Sequence, residues 1–149
     1  MGLDIFFHKV VKVRNSKNEP LESIKYYNDL NNKRANAYFR KVDFLYHYFQ
    51  SKLVDECCFV TKADLEDLIE RCDKILEGFD FRKKVPYFDS ECSLIYKKID
   101  LAKELLPTLD STIYDRLYFA DVENVRYQMK KLLKGFNEDT DVIYVVMSW

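Results

Sequence analysis

The first pattern along the chain is an alternation of apolar and polar residues in "LDIFFHKVVKV" (3–13). Successive strand residues point to opposite faces, so this stretch predicts a β-strand. One predicted face is apolar and holds Leu3, Ile5, Phe7, Val11 and Val13. The other face carries Asp4, His8 and Lys12, but Phe6 and Val10 interrupt it. We therefore expect both faces of this strand to be at least partly covered.

The last segment, "DVIYVVMSW" (141–149), is apolar almost throughout. Such a run is typical of a strand that is covered on both faces. Because two strands alone are only marginally stable in water, the chain ends are predicted to pair in a small sheet. The short β-prone segment "CCFV" (57–60), or a second copy of the chain in a homodimer, would extend that sheet.

Helical spacing dominates the residues between the two ends. The clearest predicted helix follows Thr61, the expected N-cap, with Asp64 as the reciprocal partner of a capping box. Its buried stripe is predicted to hold Leu65, Leu68, Ile69, Cys72, Ile75, Leu76 and Phe79. Gly78 supplies the C-terminal stop.

Other helices are predicted from the same kind of spacing. One runs over 90–106 and ends at Pro107, one opens at Thr112 and closes at Gly135, and a short one covers 21–30. Asn36 is the predicted N-cap of a further helix. Its apolar seam is expected to be Phe39, Val42, Tyr46, Phe49 and Leu53.

Length and composition set the fold class. The 149 residues are 48% hydrophobic and 33% charged, as expected of one globular domain. With strands at both ends and helices between them, the prediction is a single α+β domain over 1–149. Its N- and C-terminal strands would pair in a small sheet packed against four or five α-helices.

The charge pattern restricts the partner classes. The net charge is −1, which gives no overall attraction to nucleic acid or to an anionic membrane. Residues 1–52 hold 10 Lys/Arg against 5 Asp/Glu, while residues 53–78 hold 3 against 8. Basic edges at "RKK" (82–84) and at Arg126, Lys130, Lys131 and Lys134 leave weak nucleic-acid binding as a minor hypothesis.

The cysteines and the N-terminus bear on location and cofactors. None of the four cysteines forms a C-x-x-C pair, and with only two histidines no zinc-site spacing is present. The N-terminal stretch lacks the features of a signal peptide, and no apolar run reaches the ~18 residues that a membrane span needs. We therefore predict reduced thiols in a cytoplasmic protein with no metal, no cofactor and no membrane partner.

Five segments carry a family resemblance: "MGLDIFF", "YFRKVD" (38–43), "CCFVTKADLEDLIERC" (57–72), "LLPTLDSTIYDRLYFADV" (105–122) and "VVMSW" (145–149). In this order they resemble a family of small proteins encoded by bacteriophages and prophages. The family pattern has Asn where this chain has Asp43, and His where it has Tyr46. The resemblance implies no particular activity, and these departures imply that a family site at those positions would be altered here.

Candidate chemistry lies at Arg40, Asp43 and His47, which fall on one face of the helix predicted there. Asp43 would orient the imidazole of His47 and favour its protonated form, as acid/base catalysis requires. Arg40 would clamp a carboxylate or phosphate. The alternative is a solvated stripe in which each charge pair stabilises the helix by about 0.2–0.5 kcal/mol.

Tyr114, Asp121 and Trp149 are candidate ligand-binding residues. Asp121 would bind a cation or a ligand hydroxyl, and the Trp149 indole would form one wall of a pocket. In the structural alternative Trp149 anchors the last strand against a helix, Tyr118 belongs to the core, and Asp115 is a capping residue in the first turn of the helix that opens at Thr112.

Three function hypotheses remain at this point. The first is a non-enzymatic binding or accessory protein of phage or mobile-element type that acts on a protein or a small ligand. The second is a small hydrolase or transferase that uses His47, Asp43 and Arg40. The third is nucleic-acid binding through the basic helical edges.

Overall fold

The computed structural model describes residues 2–14, 16–17, 23–25, 27, 34–82, 90–109 and 114–149. In chain order the elements are β1 (Asp4–Val11), β2 (Ala37–Arg40), α1 (Asp43–Phe49), β3 (Cys57–Val60), α2 (Lys62–Leu76), α3 (Ser90–Leu105), α4 (Arg116–Leu133) and β4 (Asp141–Ser148). Residues 24, 25 and 27 are also helical, and the rest of the helix predicted over 21–30 lies outside the described residues. None of the described helices combines the length and apolarity needed to cross a bilayer.

The four strands form one antiparallel sheet in the order β2-β1-β4-β3. β1 and β4 are its central pair, matched over eight residues from Asp4 opposite Ser148 to Val11 opposite Asp141. The "CCFV" segment is β3, which lies beside β4 at one edge. The predicted α+β class and the pairing of the two chain ends are both confirmed.

The inner face of the sheet is the face turned toward the helices. Its central residues are each at most 2% exposed: Leu3, Ile5, Phe7, Ile143, Val145 and Met147. They join one apolar cluster with the buried stripes of α2 and α4. Val11 was also predicted on this face but is 71% exposed, because it is the last residue of β1.

α2 begins as its sequence predicts. The Thr61 hydroxyl accepts a hydrogen bond from the Asp64 backbone N–H at 3.1 Å, and the Asp64 carboxylate accepts one from the Thr61 N–H at 3.0 Å. Asp64 is 8% exposed and also binds Lys52 Nζ at 2.5 Å. This complete capping box stabilises the helix start by about 1 kcal/mol.

α4 begins later than predicted. Tyr114 and Asp115 are not helical, and the predicted start at Thr112 lies outside the described residues. Asp115 was predicted as a capping residue of a helix that opens at Thr112; it is itself the N-cap, since its Oδ1 accepts from the Tyr118 N–H at 3.1 Å. Tyr118 is core, as predicted, at 4% exposed, and its hydroxyl donates to the Leu106 carbonyl at 2.7 Å.

The helix predicted after Asn36 is wrong in its first part. Residues 37–40 form β2, Lys41 takes a left-handed conformation with φ of 59°, and α1 starts only at Asp43. The edge of β1 offers backbone hydrogen bonds that decide this conformation, and pairing with β1 buries Ala37 and Phe39 on alternate positions. A 3–4 spacing and a short alternation share the same apolar positions here, so tertiary pairing overrode the helical pattern.

Candidate functional site

The outer face of the sheet is the face turned away from the helices. Part of it is covered near Tyr27, which is 3% exposed and packs its ring edge-on against Phe59 at 6.2 Å. Beneath that cover Tyr144 is fully buried, and its hydroxyl donates to the Tyr27 carbonyl at 3.3 Å. No helix or strand of the described residues covers the half of the outer face nearer β2.

An open pocket of about 570 Å³ lies on that half, and we name it the outer-face pocket. Three strands and the segment before β2 line it with Asp4, Phe6, His8, Arg34, Ala35, Tyr38 and Val146. Its volume is in the range that small-ligand sites occupy. Apolar rings and polar groups therefore meet on a rigid sheet.

The floor of the pocket is aromatic. Phe6 on β1 and Tyr38 on β2 are cross-strand partners, and their ring centroids lie 5.1 Å apart with a 34° tilt. Tyr38 is 48% exposed. Strand pairing fixes both backbones, so this stacking surface is already formed without a ligand.

Asp4 and Tyr38 form one hydrogen-bonded pair. The Tyr38 hydroxyl donates to Asp4 Oδ1 at 2.5 Å. This bond, with some desolvation, raises the pKa of Tyr38 above its ordinary value, although the nearby Arg40 guanidinium acts in the opposite direction. Tyr38 is therefore a phenol at neutral pH, and Asp4 is the acceptor that positions it.

His8 forms the wall of the pocket toward the covered half. Its ring stacks on Tyr144 with centroids 5.0 Å apart. Burial lowers the pKa of His8, so the imidazole is neutral near pH 7. Its Nδ1 is buried and has no hydrogen-bond partner within the described ranges.

Cations border the pocket on the β2 side. Arg34 lines it, and Arg40 lies two residues after Tyr38 on the same face, opposite Asp4 in the register. A Cβ on Gly2 would lie 2.9 Å from Lys41 Cε and 3.6 Å from Arg40 Nε, so both cations extend past the start of β1. Neither Arg34 nor Arg40 forms an ion pair with any residue that the structure describes.

The predicted catalytic residues are not on one helical face. Arg40 belongs to β2 and projects from the outer face. Asp43 and His47 belong to α1, which packs on the inner face, where Phe49 meets Phe7 at 5.9 Å between ring centroids. The structure thus separates Arg40 from the other two, and the geometric premise was wrong. The acid/base roles of Asp43 and His47 stay a prediction.

The predicted ligand-binding residues occupy three different surroundings. The Tyr114 hydroxyl accepts from the Thr108 N–H at 3.2 Å, which ties it to the end of α3. Asp121 lies on α4, where burial, and secondly the charge of Asp115, raises its pKa to about 6. Trp149 packs edge-on against Tyr46 of α1, with ring centroids 5.2 Å apart, and the residue is 54% exposed. No contact among the described residues joins any two of the three, and their roles stay predictions.

The basic helical edges are partly neutralised by ion pairs, whereas Lys131 and Lys134 of the α4 edge form none with a described residue. On α4, Arg126 and Lys130 lie 3.4 and 3.7 Å from Asp73 of α2. Arg82 forms a two-pronged ion pair with Glu123, and the rest of the "RKK" segment lies outside the described residues. Arg82, Arg126 and Lys130 therefore have carboxylate partners, unlike Arg34 and Arg40, which form no ion pair with a described residue.

The described thiols are free and poorly reactive. Burial, the largest influence on both, raises the pKa of Cys58 and of Cys72 to about 12. A thiol with such a pKa is almost entirely protonated at neutral pH, and the thiolate is the nucleophile. The pocket therefore has no activated cysteine from this pair.

Sequence reasoning missed the outer-face pocket. It placed Asp4 and His8 on the polar face of β1 and noticed Phe6 there, but assigned none of them a role. It missed Tyr38 because "AYFR" was assigned to a helix, where Tyr38 has no relation to Phe6. The alternation of "AYFR" with a buried Ala37 and Phe39 is the signal that would have placed Tyr38 on a strand.

Scans against protein-family models, curated proteins and solved structures each found no match to this chain. The function must therefore be argued from the geometry of the molecule itself. The resemblance to phage-encoded proteins stays a prediction from the sequence segments.

Proposed function

We propose that this protein is a small binding protein that takes a small-molecule ligand in the outer-face pocket. The observation that carries the proposal is the stacked pair of Phe6 and the 48% exposed Tyr38, beside two guanidinium groups that form no ion pair with any described residue, Arg34 in the pocket and Arg40 next to it on β2. Exposed aromatics grouped with a few convergent polar residues in a concave site are typical of ligand sites.

Binding fits the chemistry of the pocket better than catalysis. Tyr38 is held as a phenol by Asp4, so it is a weak nucleophile. The buried Nδ1 of His8 has no carboxylate partner in the described part of the chain to orient the ring as a general base. The groups that remain, an acceptor, a phenol and guanidiniums, serve recognition.

The biological setting of the proposal comes from the sequence. We place the protein in the cytoplasm, in line with its free thiols, and among the small accessory proteins of phages that its segments resemble. The enzymatic alternative at Asp43 and His47 is less well supported, because Arg40, its anion clamp, projects from the other face of the sheet.

The test is a ligand screen followed by two-dimensional amide NMR. A mixture of small aromatic acids, aromatic amines and nucleosides is titrated into the labelled protein. We expect shifts concentrated in residues 4–8 and 34–40, and lost in Tyr38→Ala. The matched control is Tyr127→Ala, because Tyr127 is also exposed, at 62%, and also lies beside cations.

The Tyr127→Ala control should keep every shift that the parent chain shows. Shifts that centre on Tyr114, Asp121 and Trp149 instead would overturn the outer-face assignment. A protein that shows no shift with any member of the mixture would overturn the binding proposal as a whole.

A further inference from the structure

We infer that the ligand of the outer-face pocket is a nucleotide, with its base on Phe6 and Tyr38 and its phosphate on Arg34 and Arg40. This inference rests on the proposed function and adds a ligand class to it. Three features of the pocket carry it: a stacking surface, unpaired guanidiniums and one carboxylate.

The stacking surface suits a flat ring. Phe6 and Tyr38 lie on adjacent strands with ring centroids 5.1 Å apart and planes 34° apart, so the two rings pack on each other, and Tyr38, which is 48% exposed, offers ring surface to a base. Bases stack on aromatic rings through their π-faces, and the contact tolerates any base. A third aromatic, His8, also lines the pocket and is neutral near pH 7, so it does not repel a base edge that donates hydrogen bonds.

The guanidiniums give the pocket a charge preference. Arg34 lines the pocket together with one carboxylate, Asp4, and Arg40 lies opposite Asp4 in the strand register. Asp4 Oδ1 already accepts the Tyr38 hydroxyl. Lys41 lies close to Arg40 beside Gly2 and adds a further positive charge. Positive charges therefore outnumber the single carboxylate. An arginine side chain binds phosphate through two parallel hydrogen bonds, so this charge suits a phosphate group.

The groove on α4 shows by contrast why the outer-face pocket is the better anion site. That groove is also lined by a tyrosine and by cations, Tyr127, Arg82, Arg126 and Lys130. Its cations are already paired with Asp73 and Glu123, so an anion would have to displace those carboxylates. At the outer-face pocket no such displacement is needed among the residues described.

Asp4 adds a preference among bases. Its carboxylate accepts hydrogen bonds only, so it favours a base edge that carries an amino group. Adenine, cytosine and guanine carry one, whereas uracil presents its single imide N–H between two carbonyl oxygens. We therefore expect a nucleotide with an amino-bearing base to bind more tightly than a uridine nucleotide.

The size and charge of the molecule favour a mononucleotide over a strand. The pocket of about 570 Å³ is local, and the chain as a whole has a net charge of −1. A long strand needs a continuous positive track, and on the other basic edge Arg126 and Lys130 already share the carboxylate of Asp73. Beside the aromatic pair, Arg34 lines the pocket and Arg40 lies two residues from Tyr38 on the same strand face.

The first experiment compares AMP, adenosine, UMP and inorganic phosphate by calorimetry and by amide NMR on the intact chain. We expect a Kd for AMP on the order of 0.1 mM, tighter than that of adenosine by about ten-fold, because the phosphate adds charge-assisted hydrogen bonds. UMP should bind several-fold more weakly than AMP. Phosphate that binds as tightly as AMP would overturn the role of the base.

The second experiment uses matched variants. Arg40→Gln should weaken the binding of AMP by about ten-fold and leave the binding of adenosine unchanged, because in this inference Arg40 contacts only the phosphate. Arg126→Gln, on the groove of α4, is the control and should change neither affinity. Tyr38→Ala should weaken the binding of both ligands by about ten-fold, because the base loses its stacking contact. Amide spectra of each variant verify that it is folded, and the exposed Arg40→Gln tests the inference even if Tyr38→Ala is unstable.

The outcomes separate this inference from the proposed function. If aromatic acids shift the amide signals of residues 4–8 and AMP does not, the assignment of a nucleotide ligand is wrong, but the proposal of a binding pocket stands. If neither binds, both are wrong. If a single-stranded oligonucleotide binds far more tightly than AMP and its affinity falls steeply with salt, the partner is a strand and the mononucleotide assignment is overturned.

Discussion

The two faces of β1 are built from neighbouring residues and behave in opposite ways. Ile5 and Phe7 point inward and are fully buried, and Phe7 contacts the rings of Phe39 and Phe49. Phe6 and His8, next to them in the chain, point outward into the pocket. Both faces are rich in aromatic rings, so hydrophobicity alone does not distinguish them.

Cover and charge are what distinguish the two faces. Helices α1, α2 and α4 contribute to the cluster that closes the inner face, whereas the outer face is only half covered and carries Asp4 and Arg40 among its rings. Burial of the inner face stabilises the fold. On the outer face Tyr38 is 48% exposed, so its ring contributes less to stability, and we propose that it contributes to binding instead.

The largest effect is expected when the substitutions Phe7→Ala and Phe6→Ala are compared. Phe7→Ala should lower the free energy of unfolding by about 3–5 kcal/mol, because it leaves a cavity in the core. Phe6→Ala should cost about 1 kcal/mol, since its ring keeps contact with solvent. Urea denaturation followed by circular dichroism measures both, and equal losses would mean that the outer face is as much a core as the inner one.

A second pair makes the same substitution at adjacent residues of β4. Val145→Thr places a hydroxyl on the fully buried inner face, and we expect a loss of about 1–3 kcal/mol in the free energy of unfolding. Val146→Thr, which faces the pocket, should change it by less than about 0.5 kcal/mol. Because strand propensity is equal for the two changes, a similar loss at both positions would contradict the assignment of faces.

The pH dependence of stability sharpens the comparison at His8. Burial lowers the pKa of His8 below its ordinary 6.5 in the folded protein, so the unfolded chain binds more protons as the pH falls through 6.5. His8 therefore lowers the midpoint of thermal unfolding between pH 7.5 and pH 5.5, whereas Asp121, whose pKa burial raises to about 6, acts in the opposite direction. Relative to its value at pH 7.5, the midpoint at pH 5.5 should be lower in the parent than in His8→Gln, which keeps every carboxylate of the parent. An identical change in both proteins would show that His8 makes no contribution.

The smallest effect is expected for Tyr38→Phe. Removal of this exposed hydroxyl should leave the thermal midpoint unchanged within error, whereas AMP should bind about three-fold more weakly because Asp4 and the ring are no longer tied together. A clear loss of stability would instead show that the Asp4–Tyr38 hydrogen bond holds β2 to β1.

Local signals predicted much of the fold correctly. The capping box of Thr61 and Asp64, the Asp115 cap and the alternation in β1 depend on residues within a few positions of each other, and each was confirmed. The pairing of the chain ends was also predicted from the sequence, because the two apolar strands need partners for their backbone hydrogen bonds, and it is confirmed.

The candidate site was beyond the reach of the sequence. Residues 37–40 fit a helical seam equally well, and only the unpaired edge of β1 made them a strand. That change moved Arg40 away from Asp43 and His47 and placed Tyr38 beside Phe6. The alternation in "AYFR" is compatible with a strand, but no local pattern places Tyr38 beside Phe6, since these two residues lie more than 30 positions apart.

The sequence by itself thus determined which segments are amphipathic, where the best-capped helices begin and that the termini meet. Those properties follow from residue spacing and short-range hydrogen bonds. Only the tertiary structure decided which face of the sheet stays open and which charges remain without partners there. That outcome depends on how the separate segments pack over the sheet, and the pocket exists where none of the described segments covers it.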